Sequence, residues 1–82
     1  MSTVDPKSQI RDYLKRVTRH PDLRDDQNIF EGGIVNSIFA VELVVFIEKQ
    51  FNITVENDDL DLANFASIDA IATFVARKTG AA

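Results

Sequence analysis

Apolar residues recur at helical spacing three times along this 82-residue chain, a pattern that a helical bundle can bury and a sheet cannot. Ile10, Tyr13, Leu14 and Val17 fall at i, i+3, i+4 and i+7. Ala40, Leu43, Val44, Ile47 and Phe51 repeat the pattern one turn further, and Ile68, Ile71, Ala72 and Val75 repeat it again with Phe74 flanking. Each set lines one side of a helix, because side chains three and four positions apart stack over one another.

Local punctuation sets the ends. Asp5-Pro6 supplies an N-cap acceptor followed by proline at the first helical position, while Arg16, Arg19 and His20 place positive charge at the far end and Pro21 forbids continuation. The second helix begins at Ser37. Ser67 caps the last, with Asp69 at its positive end and Arg77, Lys78 and Gly80 at its stop. Longer helices are therefore predicted near 6–18, 37–50 and 67–78. Ile53-Thr54-Val55 reads as an extended connector. Asp58 to Ala63 reads as a short, 3₁₀-like helix capped by Asp58 and anchored by Leu60, Leu62 and Phe65. From Pro21 to Asn36 the chain is polar, with Leu23, Ile29 and Phe30 as expected anchors into the core. The prediction is a single all-α domain over 1–82, a four-helix bundle with three longer helices, one short helix and a long first loop.

Composition excludes several function classes. There is no cysteine and one histidine, so disulfides, thiolate nucleophiles and Cys/His zinc sites are absent. Residues 1–5 lack a signal-peptide pattern, and Glu42 and Glu48 interrupt the apolar runs that a membrane span needs. A soluble, monomeric, cytoplasmic protein is expected. The net charge of −4 is unevenly spread: residues 25–69 hold ten acidic groups and only Lys49 as a base. That acidic field repels nucleic-acid phosphate and suits partners with basic surfaces.

In Gly33-Ile34-Val35-Asn36-Ser37-Ile38-Phe39-Ala40-Val41-Glu42-Leu43, one serine stands where a glycine-bearing loop meets an apolar helix. Any thiol chemistry must come from something added. The wider run Asn36-Ser37-Ile38-(x)2-Val41-Glu42-Leu43-Val44-(x)2-Ile47-Glu48-(x)2-Phe51-x-Ile53-x-Val55 resembles the attachment pattern of acyl carrier proteins, and Ile29-Phe30-x-x-Gly33, Asp58, Phe65 and Ser67-Ile68 fit its flanks. The resemblance spans about residues 10–78. It implies 4′-phosphopantetheine joined to Ser37 through a phosphodiester and carrying acyl groups as thioesters.

Serine is a weak nucleophile unaided, so the resemblance also implies a separate phosphopantetheinyl transferase that activates its hydroxyl against coenzyme A. A helix N-terminus favours the phosphate through free N–H groups and the dipole. The chain itself performs no catalysis; acyl-loading enzymes, acyltransferases or ketosynthases act on it. Ile38, Val41 and Val45, on a face beside the core stripe and flanked by Glu42 and Glu48, are the expected partner-binding surface.

The family usually carries aspartate where this chain has Asn36, which keeps the turn but removes a charge available to the transferase or its magnesium. Phe39 stands where housekeeping fatty-acid carriers usually have a hydrophilic residue, and Val35-Asn36-Ser37 departs from the Gly-Gly-(His/Asp)-Ser-Leu of peptidyl carriers. The finer resemblance is to free-standing carriers of polyketide and nonribosomal peptide pathways that load unusual extender units such as alkoxymalonyl groups, or aminoacyl groups. The alternatives are an aminoacyl or peptidyl carrier, and an unmodified helical interaction module with Ser37 as an ordinary N-cap. His20 reads as a solvated helix-end residue. Asp25-Asp26 and Asp58-Asp59-Asp61 lack calcium-loop spacing and read as caps, and nothing builds a substrate pocket around Glu42 and Glu48.

Overall fold

A computed structural model describes residues 5–80. Among them it contains three α-helices, α1 (Pro6–Thr18), α2 (Ser37–Phe51) and α3 (Ile68–Thr79), two 3₁₀ turns (Asn57–Asp59 and Leu62–Phe65), and no strand. The fourth helix expected from sequence is thus a pair of 3₁₀ turns. Asp58 caps neither. Glu56 and Asp59 exchange side-chain and backbone bonds around the first turn, and Asp61 accepts the Ala63 N–H at the head of the second. Glu56, Asp59 and Asp61, three acids within six residues, take up backbone donors, and such local bonding favours short turns over a continuous helix.

Each α-helix starts and stops for an identifiable reason. The Asp5 carboxylate accepts the Lys7 N–H ahead of Pro6, and the Ser67 hydroxyl accepts the Ala70 N–H. Arg19, Asn52 and Gly80 take left-handed backbone at the three C-termini, and the Asn52 and Gly80 N–H groups bond back to the carbonyls of Glu48 and Ala76.

One cluster forms the core: Ile10 and Leu14 from α1, Leu43 and Ile47 from α2, Ile68, Ile71, Phe74 and Val75 from α3, Phe65 from the second 3₁₀ turn, and Leu23 and Ile29 from the long loop. Phe74 is a central residue and not a flanking one, since α3 lies between α1 and the second 3₁₀ turn and is covered from both sides; its ring meets that of Phe65 edge-on at 5.2 Å. Val17 shares the α1 stripe yet is 43% exposed, because the helix ends one residue later and its last turn overhangs the core. Ala40, Val44 and Phe51 are half-buried, so only Leu43 and Ile47 of the expected α2 core stripe are sealed. Beside them, Tyr13 of α1 stacks on Phe46 of α2 with centroids 3.8 Å apart.

The long loop is pinned as expected from Leu23 and Ile29, with Phe30 half-buried. Arg11 grips Asp25 with two 2.9 Å bonds, and Lys7 bridges Asp25 at 3.4 Å and Asp69 at 2.6 Å. This tie joins α1, the loop and the start of α3. The Arg11 guanidinium, followed by Lys7, holds the Asp25 carboxyl down at about 2.

Candidate functional site

The approach to Ser37 is shaped by backbone bonds. The Asn28 side-chain oxygen accepts the N–H groups of Phe30 and Glu31, each at 2.9 Å, and turns the chain. The Ile29 N–H donates to the Ala66 carbonyl at 2.8 Å, and the Val35 N–H returns to the Ile29 carbonyl at 3.1 Å. Gly33, at φ +72 in open space, supplies the left-handed residue that this turn requires.

Asn36 ends the loop in extended backbone. Its side-chain oxygen accepts the Phe39 N–H at 3.1 Å and its carbonyl accepts the Ala40 N–H at 3.3 Å. Asn36 is therefore the N-cap. Ser37 is the first helical residue and not the cap; its hydroxyl is exposed and spared a capping bond. Among the described residues no side chain hydrogen-bonds it. The Ser37 and Ile38 N–H groups have no acceptor within the helix, since a first turn leaves its leading donors outside the ladder. An exposed hydroxyl, free backbone donors and the positive end of a fifteen-residue helix suit a phosphodiester at this position.

The α2 face beyond Ser37 stays open. Ile38 is 73% exposed, Val41 65% and Val45 43%, and Glu42 is also exposed. Glu48 differs from the other residues expected on this face. It is half-buried and accepts the Val55 N–H at 2.8 Å, fixing the connector between α2 and the first 3₁₀ turn. A seven-residue separation with no turn motif hid that bond from the sequence.

Against α2 the second 3₁₀ turn and the two residues before it leave a groove of about 380 Å³. Ser37, Ala40, Val41 and Val44 form one wall, and Leu60, Asp61, Leu62 and Phe65 the other. Leu60 and Leu62 are more than half exposed and hold the groove's outer rim, whereas sequence placed them as anchors. The signal available was weak: both leucines sit among Asp58, Asp59 and Asp61 without helical period. No lysine, arginine or histidine lines the groove. Glu42 and Glu48 do not frame it, and no group of three or more metal-ligating side chains converges among the described residues. Nor is any helix among those residues long and apolar enough to cross a membrane.

Comparison with known proteins bears on this geometry. Residues 8–75 match the family described as phosphopantetheine attachment site. A D-alanyl carrier protein of Lactococcus lactis subsp. cremoris is 31% identical over 75 residues, covering 89% of this chain and 95% of the relative. One from Lactococcus lactis subsp. lactis is 31% identical over 74 residues, covering 88% and 94%. A D-alanyl carrier protein of Bacillus velezensis is 37% identical over 57 residues, covering 67% of this chain and 73% of its own.

Proposed function

Because the chain belongs to the phosphopantetheine attachment family, whose members hold 4′-phosphopantetheine covalently, we propose that Ser37 is the residue that bears the arm and that its cargo is a small aminoacyl thioester. The observation that carries the assignment is an exposed serine, free of capping duty, at the start of α2 and on the wall of an apolar groove. Between the two cargo classes suggested by sequence, aminoacyl and alkoxymalonyl-type extender units, the D-alanyl carrier relatives support the aminoacyl one. A role in polyketide or other secondary metabolism has no such support.

The bound arm supplies a thiol on which acyl groups travel as thioesters. The chain's own residues present and orient it. Asn36 fixes the turn so that Ser37 projects from a helix start, and the free N–H groups of the first turn stabilise the phosphate. Since no side chain of the described residues bonds the Ser37 hydroxyl, the base that deprotonates it belongs to the phosphopantetheinyl transferase. Loading enzymes then read the α2 face. Ile38, Val41 and Val45 supply apolar contact, Glu42 supplies an exposed charge, and Glu48 contributes its charge from a position fixed by Val55. A monomeric carrier meeting coenzyme A and its loading enzyme in the cytoplasm completes this reading.

Intact-mass measurement tests it. Incubation with coenzyme A and a broad-specificity transferase should add one group of about 340 Da, and Ser37→Ala should abolish the gain while leaving the helical spectrum intact. Gain persisting in that variant places the arm elsewhere. No gain in the unaltered protein leaves an interaction module.

A further inference from the structure

The groove beside Ser37 contains one charged side chain, Asp61. Asp61 is exposed at the rim of a lining that is apolar apart from it and Ser37, between Leu60 and Leu62 and across from Val41 and Val44. Its Oδ1 accepts the Ala63 N–H at 3.0 Å, and it forms no ion pair among the described residues. Of the two α3 cations near these turns, Lys78 is committed to Asp59 at 2.8 Å and Arg77 donates to the Asn64 side-chain oxygen at 3.4 Å. Glu56 and Asp58 lie on the adjoining turn, where Lys78 and Arg77 of α3 also act on Asp59, and no base lines the groove itself.

We propose that Asp61 makes this groove selective for an acyl group bearing an ammonium, against one bearing a carboxylate. The inference rests on attachment at Ser37, because that attachment tethers the cargo beside the groove. Tethering raises the effective concentration enough for a weak contact to be populated, although free aminoacyl compounds would not bind measurably. An aminoacyl thioester has the required parts: a short apolar side chain for Val41, Val44 and Leu62, and an α-ammonium for the Asp61 carboxylate. A malonyl-type group brings a carboxylate of like charge to the same place and is held in solvent. Asp61 acts here as a specificity-determining residue, not a catalytic one.

The test uses the full chain loaded at Ser37 with three coenzyme A derivatives whose acyl groups each have three carbons and differ in charge: alanyl, propionyl and malonyl, linked as hydrolysis-resistant amides. At pH 6.5 the alanyl amine is protonated, since α-amino groups titrate near about 8. Amide chemical shifts of Val41, Val44, Leu60 and Leu62, compared with the unacylated arm, report groove occupancy. Alanyl should exceed malonyl by about two- to fivefold, with propionyl between them, the range expected of one exposed charge contact. Asp61→Asn keeps the cap acceptor for Ala63 and should bring the three cargoes together. Leu62→Lys leaves that cap untouched and, by setting a compensating positive charge beside Asp61, should also narrow the difference between the cargoes.

Equal occupancy for alanyl and malonyl, or an unchanged ratio in Asp61→Asn, overturns the charge selection while the mass gain at Ser37 still supports the carrier. Shifts that map away from the groove overturn it equally. Absence of any mass gain overturns the attachment reading and this inference with it.

Discussion

The two sides of this small bundle are held by different means. Where α1, α3 and the long loop meet, Ile10, Leu14, Ile29, Ile71 and Phe74 are fully sealed, and Lys7, Arg11, Asp25 and Asp69 form a connected ion-paired tie above them. Where α2 faces the 3₁₀ turns, Val41, Leu60 and Leu62 stand more than half exposed around an open groove, Ile38 is exposed on the same helix, and the acids Glu42 and Asp61 are without ion pairs among the described residues. A chain of this length has only one modest core, so apolar surface left open on one side must be balanced by close packing on the other. The sealed side gives the domain its stability; the open side retains the apolar surface that the proposed attachment at Ser37 and its partner enzymes would use.

The sharpest way to break this contrast is to hollow the sealed side. Phe74→Ala should cost about 3–5 kcal/mol, a large part of the stability of such a domain, and show as loss of cooperative helical signal in denaturant titrations. A loss under 1 kcal/mol would mean that the core lies elsewhere.

The ionic tie carries less. The Asp25 carboxyl sits at about 2 in the folded protein, below its ordinary 3.8, first because Arg11 bonds it and then because Lys7 adjoins it. As pH falls the unfolded chain takes up the proton before the folded one. The stabilisation is therefore complete above the ordinary carboxylate range and is lost between 3.8 and about 2. For groups about one-third exposed, solvent screening reduces it to about 1 kcal/mol. Asp25→Asn should lose that amount at pH 7 and match the unaltered protein at pH 2, measured by urea unfolding at each pH.

Glu48 straddles the two sides. Glu48→Ala removes the acceptor of the Val55 N–H and should cost about 1 kcal/mol, whereas Glu48→Gln retains an acceptor and should cost under about 0.5 kcal/mol. If both variants are equally destabilised in chemical unfolding, the charge and not the hydrogen bond holds the connector.

The smallest effect on folding is expected on the open face. Val41→Asp should change stability by less than about 0.5 kcal/mol. It should nevertheless depress the rate of arm attachment or loading, read by intact mass at timed intervals. Unfolding would show that Val41 belongs to the core after all.

Much of this was legible in the chain. The α1 boundaries match expectation, α2 ends one residue later and α3 shifts by one residue at both ends, because periodic apolar residues bounded by Asp5-Pro6, Ser67 and Gly80 carry their own start and stop signals. Ser37 was legible as a helix start but not as an uncapped one. Which of two adjacent polar residues caps a helix depends on the backbone of the loop before it, here set by Asn28 and the Ile29–Ala66 bond. The groove was not legible. Leu60 and Leu62 read as anchors because apolar residues usually are, and only the break of their segment into two acid-capped turns keeps them outside.

Those turns have a consequence for descent. Asp59 and Glu56 secure the first, Asp61 the second, and Asn64 ties back to the Asp59 carbonyl, so the segment keeps its shape largely by bonds within itself. Side chains on its outer edge are consequently free to vary between lineages without disturbing the packed half. Substitutions at Leu60 and Leu62 can accumulate with little effect on the fold, and a duplicated copy of such a gene could acquire a new cargo through a few changes there while inheriting its packed half and the proposed attachment site at Ser37 unchanged.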